Sequence, residues 1–515
     1  MFGFATIAIL LYFLYPVVLI SLSIYSAHKK EVTAESYFFA NRNTHWLTLG
    51  VSLLATSFFS PYIFGFASSG LSSGVPVAYA ITSLIMLAVL GGFFAPRYLQ
   101  MKIKTLPEFF ERRFDRKCRR FLSTLYIVTN IAIRLLIILT VGRVFLGSVE
   151  GIDVFSSLLF FLVVTGIYVI IGGLQAEIHA NLVQVIFIIL VVAGFVAWLI
   201  NQENGVDHVV HGIVSQLDLN SGGDSEFTRI GLLLGLPIVG FWFWCADQFM
   251  VQKILSAQNV ASAKRASLTA GVLQIIPVLI FVLPLIVVPL SGRTDSAGFL
   301  RALFLNSSLP DSLRAGLIIG AVAAFMIPVA NVFNSTSSLI TFDFFCGFRP
   351  GASDRQIVLV GRMTIMVLVL ISILLIPVSQ TLDLDSCLQI FKIFSYFSSM
   401  IAAVFLMGLL NRKIGGASAL FSLSAATFVI LLRVVLQTIL NSHQMDSGIL
   451  NWFVKSAFLE FSVFVFLLSL ALLFMFDYLK SRYELSLAKT RQGTAGMREI
   501  LPALLAIAVI GVFLA

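Results

Sequence analysis

Charged residues and reactive side-chain clusters are scarce in this sequence. Asp, Glu, Lys and Arg together make up 11% of its 515 residues, while 59% are hydrophobic. No polar stretch is long enough to fold as a separate soluble domain. The four cysteines (positions 118, 245, 346 and 387) show neither metal-ligand spacing nor a disulfide framework, and no nucleophile–base constellation is present. We therefore expect neither an enzyme nor a transition-metal centre.

Long apolar runs dominate the chain instead. Runs of about 20 residues recur from end to end, each long enough to cross a hydrocarbon core of about 30 Å. They predict an all-α polytopic membrane protein with about fourteen transmembrane helices, in the lipid bilayer of a plasma membrane or a bacterial inner membrane. The predicted spans are 3–27, 46–70, 74–96, 121–147, 153–173, 180–201, 229–251, 266–291, 314–341, 358–379, 386–410, 416–440, 456–478 and 499–515.

The formal net charge of +9 arises mainly in the loops. Basic residues cluster in alternate loops between the predicted spans, most densely in residues 97–120. This alternation is typical of cytoplasmic loops, so we expect no nucleic-acid partner. Lys253 falls within one of these predicted cytoplasmic loops. An even number of spans predicts that both termini lie outside.

Span 46–70 is predicted to be interrupted in mid-membrane. Pro61 has no amide hydrogen and disfavours helical geometry at Ser60, so the backbone should open between Ser57 and Pro61. Open backbone at membrane depth is tolerated where it is buried in protein or lines a wet cavity, as at the binding site of a transporter. A proline kink in a packing helix is the alternative interpretation.

Span 229–251 carries the second predicted interruption. Pro237 and Gly240 lie at mid-membrane, ahead of the aromatic run 241–244 and Asp247. The two interrupted spans are five spans apart, an odd offset that inverts orientation, as an inverted repeat requires. Aromatic rings beside a break often stack on a bound solute, and core packing is the alternative.

Four charged residues lie within predicted spans: Arg134, Asp247, Lys392 and Arg433. Charges at membrane depth are costly and are often functional. Pairing of Asp247 with Arg134 or Lys392 would make these residues structural. A direct role in transport is the alternative.

A family resemblance is carried by residues 240–267, which read GFWFWCADQFMVQKILSAQNVASAKRAS. This stretch resembles the signature YWCTDQ..VQR.LAAKN...AK of the sodium:solute symporter family, and within it the sodium–glucose cotransporter branch. Four further segments resemble family patterns: residues 37–42 (YFFANR), 105–114 (TLPEFFERRF), 334–343 (NSTSSLITFD) and 395–406 (SYFSSMIAAVFL).

The resemblance implies a LeuT-type fold with a 5+5 inverted repeat that works by alternating access. It also implies a small organic solute as substrate and sodium as the coupling ion. The implied units are an N-terminal extra helix (1–30), a first repeat of five helices (46–201), a second repeat of five helices (229–410) and C-terminal accessory helices (416–515).

The ion site that the family implies is altered in this sequence. In the family, sodium is held by carbonyls at the first break and by one carbonyl and two serine hydroxyls on a later helix. The resemblance carries these positions onto Ala55, Phe58, Ala324, Ile327 and Pro328. Both hydroxyls are therefore missing, and Asn181 stands where the family motif GGL.A...TD..Q has its aspartate.

These losses bear on sodium coupling. Each unreplaced partner of a buried ion costs about 1–3 kcal/mol, so we expect weakened or lost sodium coupling. We expect no other bound cofactor. Retained coupling through a remodelled site is the alternative. In that case Pro328, which has no amide hydrogen, frees the carbonyl of Ala324, and Asn331 adds an amide oxygen.

The implied solute site is also less polar than a sugar site. The resemblance places the family's sugar ligands at Tyr62, Ile81, Gly240, Phe243 and Gln274. A sugar needs matched partners for its many hydroxyls, but only Gln274 and Tyr62 retain polar groups. We therefore expect a sugar-like or less polar organic solute. With residues from both breaks, the predicted substrate-binding set is Ser57, Ser60, Tyr62, Phe243, Trp244, Asp247 and Gln274.

A sensor is the competing function from another class. A transporter-derived protein that binds a ligand but moves nothing is favoured by the missing ion ligands. It is disfavoured because the internal linker 479–498 is too short to fold as an output domain. Net solute flux separates the two hypotheses.

Overall fold

The computed structural model describes most of the chain. The described residues are 4–28, 32–57, 75–149, 153–202, 206–207, 210, 228–279, 309–440 and 449–491. The predicted interruption after Ser57 and the predicted span 499–515 fall outside them. So do the site residues Phe58, Ser60 and Tyr62.

The described part of the chain is helical and contains no β-strand. In chain order the helices are α1 (Phe4–His28), α2 (Ala34–Phe39), α3 (Trp46–Ser57), α4 (Val75–Val89, continued by the π-helical turn Leu90–Phe94 and by Ala95–Met101), α5 (Leu106–Arg113), α6 (Arg116–Gly147), α7 (Val154–Ile200), α8 (Gly231–Ala246), α9 (Gln248–Ile254), α10 (Val260–Leu273), α11 (Asp311–Phe348), α12 (Asp354–Ser379), α13 (Leu384–Leu410), α14 (Gly416–Leu440), α15 (Ile449–Lys455) and α16 (Phe458–Arg491).

Many of these helices could span a membrane. Among the described residues, eight helices are long and apolar enough to cross a bilayer, and the bent pair α8–α9 makes a ninth. Helices α1 and α3 contribute shorter apolar stretches, Tyr12–Ser26 and Trp46–Ser57. These lengths agree with a polytopic membrane protein, and the total of fourteen spans stays a prediction.

A sharp bend at Gly173 divides α7 into two helices. The sequence predicted separate spans at 153–173 and 180–201, and α7 is helical on both sides of Gly173, where the backbone turns with φ +57° and ψ −141°. A Cβ on this glycine would lie 2.3 Å from the backbone oxygen of Tyr37 in α2. The predicted spans 153–173 and 180–201 therefore agree with two helices that meet at Gly173, where a single glycine makes the turn.

The second predicted interruption exists, but it lies at Asp247 rather than at Pro237 or Gly240. Helices α8 and α9 meet at 42°, and Asp247 has an extended backbone with φ −78° and ψ 137°. Pro237 follows the π-helical turn Gly231–Gly235, whose wider backbone accommodates the proline without ending the helix. Gly240 instead allows close packing, since its Cβ would lie 2.7 Å from the ring of Trp244.

Helix α7 lies at the centre of the described core. It packs against α1, α3 and α11, and α3 packs in addition against α10. The short helix α9 contacts both α3 and α11. These contacts bring α3, α7, α9 and α11 together around the buried polar groups of the candidate site.

Arg433 belongs to the accessory helices and has a structural environment. Its guanidinium donates to Oγ and to the backbone oxygen of Ser456 at 2.9 Å and 2.8 Å. It also lies 3.8 Å from the ring centroid of Phe461. Arg433 therefore links α14 to the segment between α15 and α16.

Candidate functional site

At the break between α8 and α9, two backbone carbonyls of α8 are bound by tyrosine hydroxyls. The oxygen of Cys245 accepts a hydrogen bond from the hydroxyl of Tyr98 at 2.8 Å, and that of Ala246 accepts one from Tyr126 at 2.9 Å. Trp242 donates through Nε1 to the Tyr126 hydroxyl at 3.0 Å. Tyrosines of α4 and α6 thus satisfy the open end of α8. Sequence reasoning missed them, because a tyrosine in an apolar run gives no sign of what it caps.

Asp247 lies at the break and pairs with Arg134 of α6. Arg134 Nη1 donates to Asp247 Oδ1 at 3.2 Å, and Nη2 contacts the other carboxylate oxygen. Both residues are buried. The sequence left Arg134 and Lys392 open as partners, and the structure pairs Asp247 with Arg134. Asp247 also accepts a hydrogen bond from the backbone amide of Phe249 at 3.3 Å, so it caps α9.

Aromatic rings enclose the Arg134 guanidinium. Its Cζ atom lies 4.1 Å from the ring centroid of Phe249 and 4.7 Å from that of Phe394. Cation–π contacts of this kind strengthen when water is excluded. The carboxylate and the surrounding rings together compensate a charge that would otherwise be costly at membrane depth.

Hydrogen bonds between three polar side chains connect α3, α4 and the end of α10. Gln274 Nε2 donates to Ser57 Oγ at 2.6 Å, and the Tyr79 hydroxyl donates to Gln274 Oε1 at 3.3 Å. The Tyr79 ring lies 5.5 Å from that of Trp244, which in turn lies 5.3 Å from Phe243. Four predicted substrate residues are therefore close together in space, and Tyr79 joins them.

Tyr79, and not Ile81, is the residue of α4 that contacts this cluster. The carried-over sugar position was Ile81, but its side chain is 53% exposed, whereas Tyr79 is fully buried. Residues two apart on an α-helix point in nearly opposite directions. The face of α4 that carries Tyr79 and Thr82 is the one directed inward, and Ile81 lies on the other side of the helix.

Described residues beside the aromatic run line a small cavity. A cavity of about 10 Å³ is lined by Thr56, Ile133, Arg134, Ile137, Phe243, Phe249, Phe391 and Phe394. This volume has room for about one water molecule.

Side-chain oxygens are scarce at the described ion positions. Ala55, Ile327 and Pro328 are buried and apolar, and Ala324 is half-buried. The Asn181 amide donates through Nδ2 to Ser52 Oγ at 3.0 Å. Within the described ranges there is also no cluster of three or more His, Cys, Asp or Glu residues suited to a metal. Since hard cations need several oxygen ligands, the side chains at these positions do not fit a sodium ion.

Lys253 has a different environment from the one predicted. The sequence placed it in a cytoplasmic loop, but in α9 it is only 1% exposed, and its Nζ lies 3.0 Å from Glu177 Oε1. The loop assignment is therefore wrong. Glu177 was missed altogether, although it was detectable as an acidic residue one helical turn before Asn181 in an apolar run.

Segments 105–114 and 334–343, which both resemble family patterns, meet at the buried carboxylate of Asp343. Asp343 of α11 accepts a hydrogen bond from the Thr105 hydroxyl at 2.6 Å and one from Arg119 Nη2 at 2.7 Å. Arg119 also contacts Glu111 of α5. The segment 105–114 is thereby attached to the end of α11 by charge-assisted hydrogen bonds.

Comparisons with known proteins agree with this architecture. The sodium/myo-inositol cotransporter 2 of Bos taurus is 28% identical over 479 residues, which cover 85% of this chain and 71% of the relative. Solute carrier family 5 member 4B of Mus musculus is 26% identical over 468 residues, covering 82% of this chain and 71% of the relative. These relatives are transporters rather than enzymes.

A solved structure shares the fold. The outward-open, substrate-bound Na⁺-coupled sialic acid symporter superposes with a TM-score of 0.76 at 18% identity, covering 92% of this chain and 98% of the symporter. This confirms a helical membrane fold of the LeuT type. The model of the family described as "Sodium:solute symporter family" matches residues 37–426. The chain is an integral multi-pass membrane protein that belongs to the sodium:solute symporter family, as the motif at residues 240–267 predicted.

Proposed function

We propose that this chain is a secondary transporter of a small organic solute, sugar-like or a related polyol, and that its sodium coupling is weakened or lost. One observation carries the proposal. The break at Asp247 lies next to a cluster in which Ser57, Gln274 and Tyr79 supply polar groups and Trp244 supplies a large ring. Interrupted helices that converge on such groups are typical of transporter binding sites.

The chemistry of the cluster suits a compact solute that has both an apolar face and hydroxyl groups. Ring faces of Phe243 and Trp244 can stack on an apolar face of the solute, while the Gln274 amide and the Ser57 hydroxyl can exchange their mutual hydrogen bond for bonds to it. In our proposal Ser60 and Tyr62 complete the site from the segment after Ser57. The name of the inositol cotransporter among the relatives favours a polyol.

Asp247 has a supporting role in this proposal. Its carboxylate is already engaged by Arg134 and by the first turn of α9. We therefore propose that it fixes the angle of the break and binds the solute only when the pair with Arg134 opens.

The weakened sodium coupling is supported by the ion positions. Ile327 and Pro328 offer no side-chain oxygen, and Asn181 is neutral and bound to Ser52. A sodium ion at this site would lack the oxygens and the compensating charge that a buried cation requires.

Uptake by the purified protein in liposomes tests the proposal. Labelled myo-inositol, glucose, galactose and sialic acid are offered with sodium or with choline outside the vesicles. We expect uptake of at least one of them, with a rate that changes less than about twofold when choline replaces sodium. Steep sodium dependence would instead establish a sodium symporter. Binding without flux for every ligand that raises the melting temperature would establish a sensor.

Trp244→Ala tests the location of the solute site. We expect affinity for the transported solute to fall by about tenfold or more, since losing about 1.4 kcal/mol of contact energy corresponds to tenfold. The measurement is the concentration of solute that half-saturates uptake or the thermal shift. Trp452→Ala is the matched control, because Trp452 lies on the accessory helix α15 and is 44% exposed. Equal affinity in both variants and in the unmodified protein would place the site elsewhere.

A further inference from the structure

Lys253 carries a buried charge that the proposed solute path does not use. It lies near the end of α9, and its side chain is only 1% exposed. A buried ammonium is strongly unfavourable unless neighbouring groups replace its water. The groups around this amine therefore decide what the residue does.

Four oxygen atoms from three helices surround the amine. The backbone oxygen of Ser52 in α3 accepts a hydrogen bond from Lys253 Nζ at 3.1 Å, and Asn331 Oδ1 in α11 accepts one at 2.8 Å. Thr56 Oγ1, also in α3, is in contact with the same amine. Glu177 Oε1 in α7 lies 3.0 Å away. We call these four oxygens the oxygen cage.

The oxygen cage has the composition of a site for a hard monovalent cation. Carbonyl, amide, hydroxyl and carboxylate oxygens are the ligands that hard cations take in proteins. A lysine ammonium is itself a compact point charge on a flexible stem, so it can occupy such a site from within the chain. One carboxylate balances one ammonium here, which leaves the cage neutral while the lysine is present.

The carboxylate of the cage is held firmly in place. Glu177 Oε2 accepts a hydrogen bond from the Asn334 side chain, and Glu177, Asn334 and Asn331 are all buried. The carboxylate therefore cannot turn away to solvent if the amine is removed. Its negative charge would then be left without a partner in a low-dielectric environment, which strongly favours capture of a small cation.

We infer that the Lys253 ammonium is a built-in cation, filling an oxygen cage that takes a sodium ion when the lysine is absent. The amine ties α9 to α3, α7 and α11 without any ion that can dissociate. Because this charge is covalently attached, it moves with α9 and is not released into either compartment. The consequence for uptake rests on the proposed function, whereas the cage itself can be tested by ion binding alone.

Removal of the amine should create a sodium site. Full-length Lys253→Ala is purified in detergent, and its melting temperature is measured in sodium chloride and in choline chloride at equal ionic strength. We expect a saturable rise of several degrees with sodium for Lys253→Ala, because a ligand that binds only the folded state stabilises it in proportion to ln(1 + [L]/Kd). The unmodified protein should melt at the same temperature in both salts.

Three control variants separate the cage from a simple loss of charge. Lys253→Met removes the charge but fills the space, so it should be destabilised and insensitive to sodium. The double variant Lys253→Ala with Glu177→Gln lacks the carboxylate and should also show no sodium shift. Lys264→Ala removes an exposed lysine and should behave as the unmodified protein does. If Lys253→Ala gives no monodisperse protein, Lys253→Ser, which adds a hydroxyl, takes its place.

Several outcomes would overturn the inference. Equal melting temperatures of Lys253→Ala in sodium chloride and in choline chloride would mean that Lys253 is only a structural partner of Glu177. A sodium shift already present in the unmodified protein, with the same midpoint as in the variant, would locate the ion elsewhere. Failure of both Lys253→Ala and Lys253→Ser to fold in sodium would also contradict it, because the bound ion should restore folding. Absence of solute uptake would count against the proposed function alone and would leave the sodium shift unaffected.

Discussion

Arg134→Met is expected to lower the free energy of unfolding by about 3–5 kcal/mol, the cost of leaving one member of a buried ion pair without its partner. The variant keeps most of the side-chain volume, so little of this loss comes from a cavity. Asp247 would remain buried at the break without a compensating cation. The rings of Phe249 and Phe394, which contact the guanidinium, cannot compensate the carboxylate. Unfolding in detergent, followed by tryptophan fluorescence, measures the loss.

The double variant Arg134→Met with Asp247→Asn distinguishes a broken pair from general damage. Removing both charges leaves an amide that can still accept the Phe249 hydrogen bond and cap α9. We therefore expect the double variant to lose less stability than Arg134→Met alone, because pairs of apolar or neutral groups often replace a buried ion pair without loss. Arg355→Met, at an exposed arginine, should change stability by less than about 0.5 kcal/mol. A double variant that is as unstable as the single one would refute the pairing argument.

The helical architecture could be predicted from the sequence because hydrophobic length is a direct physical requirement of the bilayer. Pro237 and Gly240 indicated an interruption in span 229–251, but the prediction misplaced it. Pro237 looked like the break, yet a π-helical turn before it accommodates the ring. The break occurs instead at Asp247, whose side chain caps the next helix. Capping depends on how two helix ends meet, and that geometry is not encoded in local composition.

The buried charges mark the limit of sequence reasoning at the site. Asp247 and Arg134 were recognised because each lies within a predicted apolar span. Lys253 was assigned to a loop because it follows a predicted span and has other basic residues after it. Only the contacts between α9, α3 and α11 reveal that this lysine is buried. Its partner Glu177 lies one turn from Asn181, where the family pattern has its aspartate, so a comparison limited to aligned positions misses it.

Gly173→Ala is expected to be among the most destabilising substitutions in the chain. The backbone at Gly173 has a positive φ of +57°, a strain that costs a residue with a side chain about 1–3 kcal/mol. The new Cβ would also lie 2.3 Å from the Tyr37 backbone oxygen, and overpacking adds about 1–3 kcal/mol. Melting temperature and the yield of monodisperse protein in detergent measure the effect.

Gly92→Ala is the matched control for this prediction. A Cβ at Gly92 meets nothing within 4 Å, and the residue lies in the π-helical turn of α4. Alanine loses less conformational freedom on folding than glycine does, so Gly92→Ala should be neutral or stabilise by about 0.5–1 kcal/mol. Similar melting temperatures for the two variants would contradict the role given to Gly173.

The effect of Gly173→Ala should extend beyond local strain, because the bend sets the direction of the second half of α7. Glu177 and Asn181 lie one and two turns after it and contact Lys253 and Ser52. Straightening α7 would draw both side chains away from α3 and α9. We therefore expect Gly173→Ala combined with Lys253→Ala to show no sodium-dependent rise in melting temperature, even if the protein folds. A sodium response that survives in this combination would mean that the position of Glu177 does not depend on the bend.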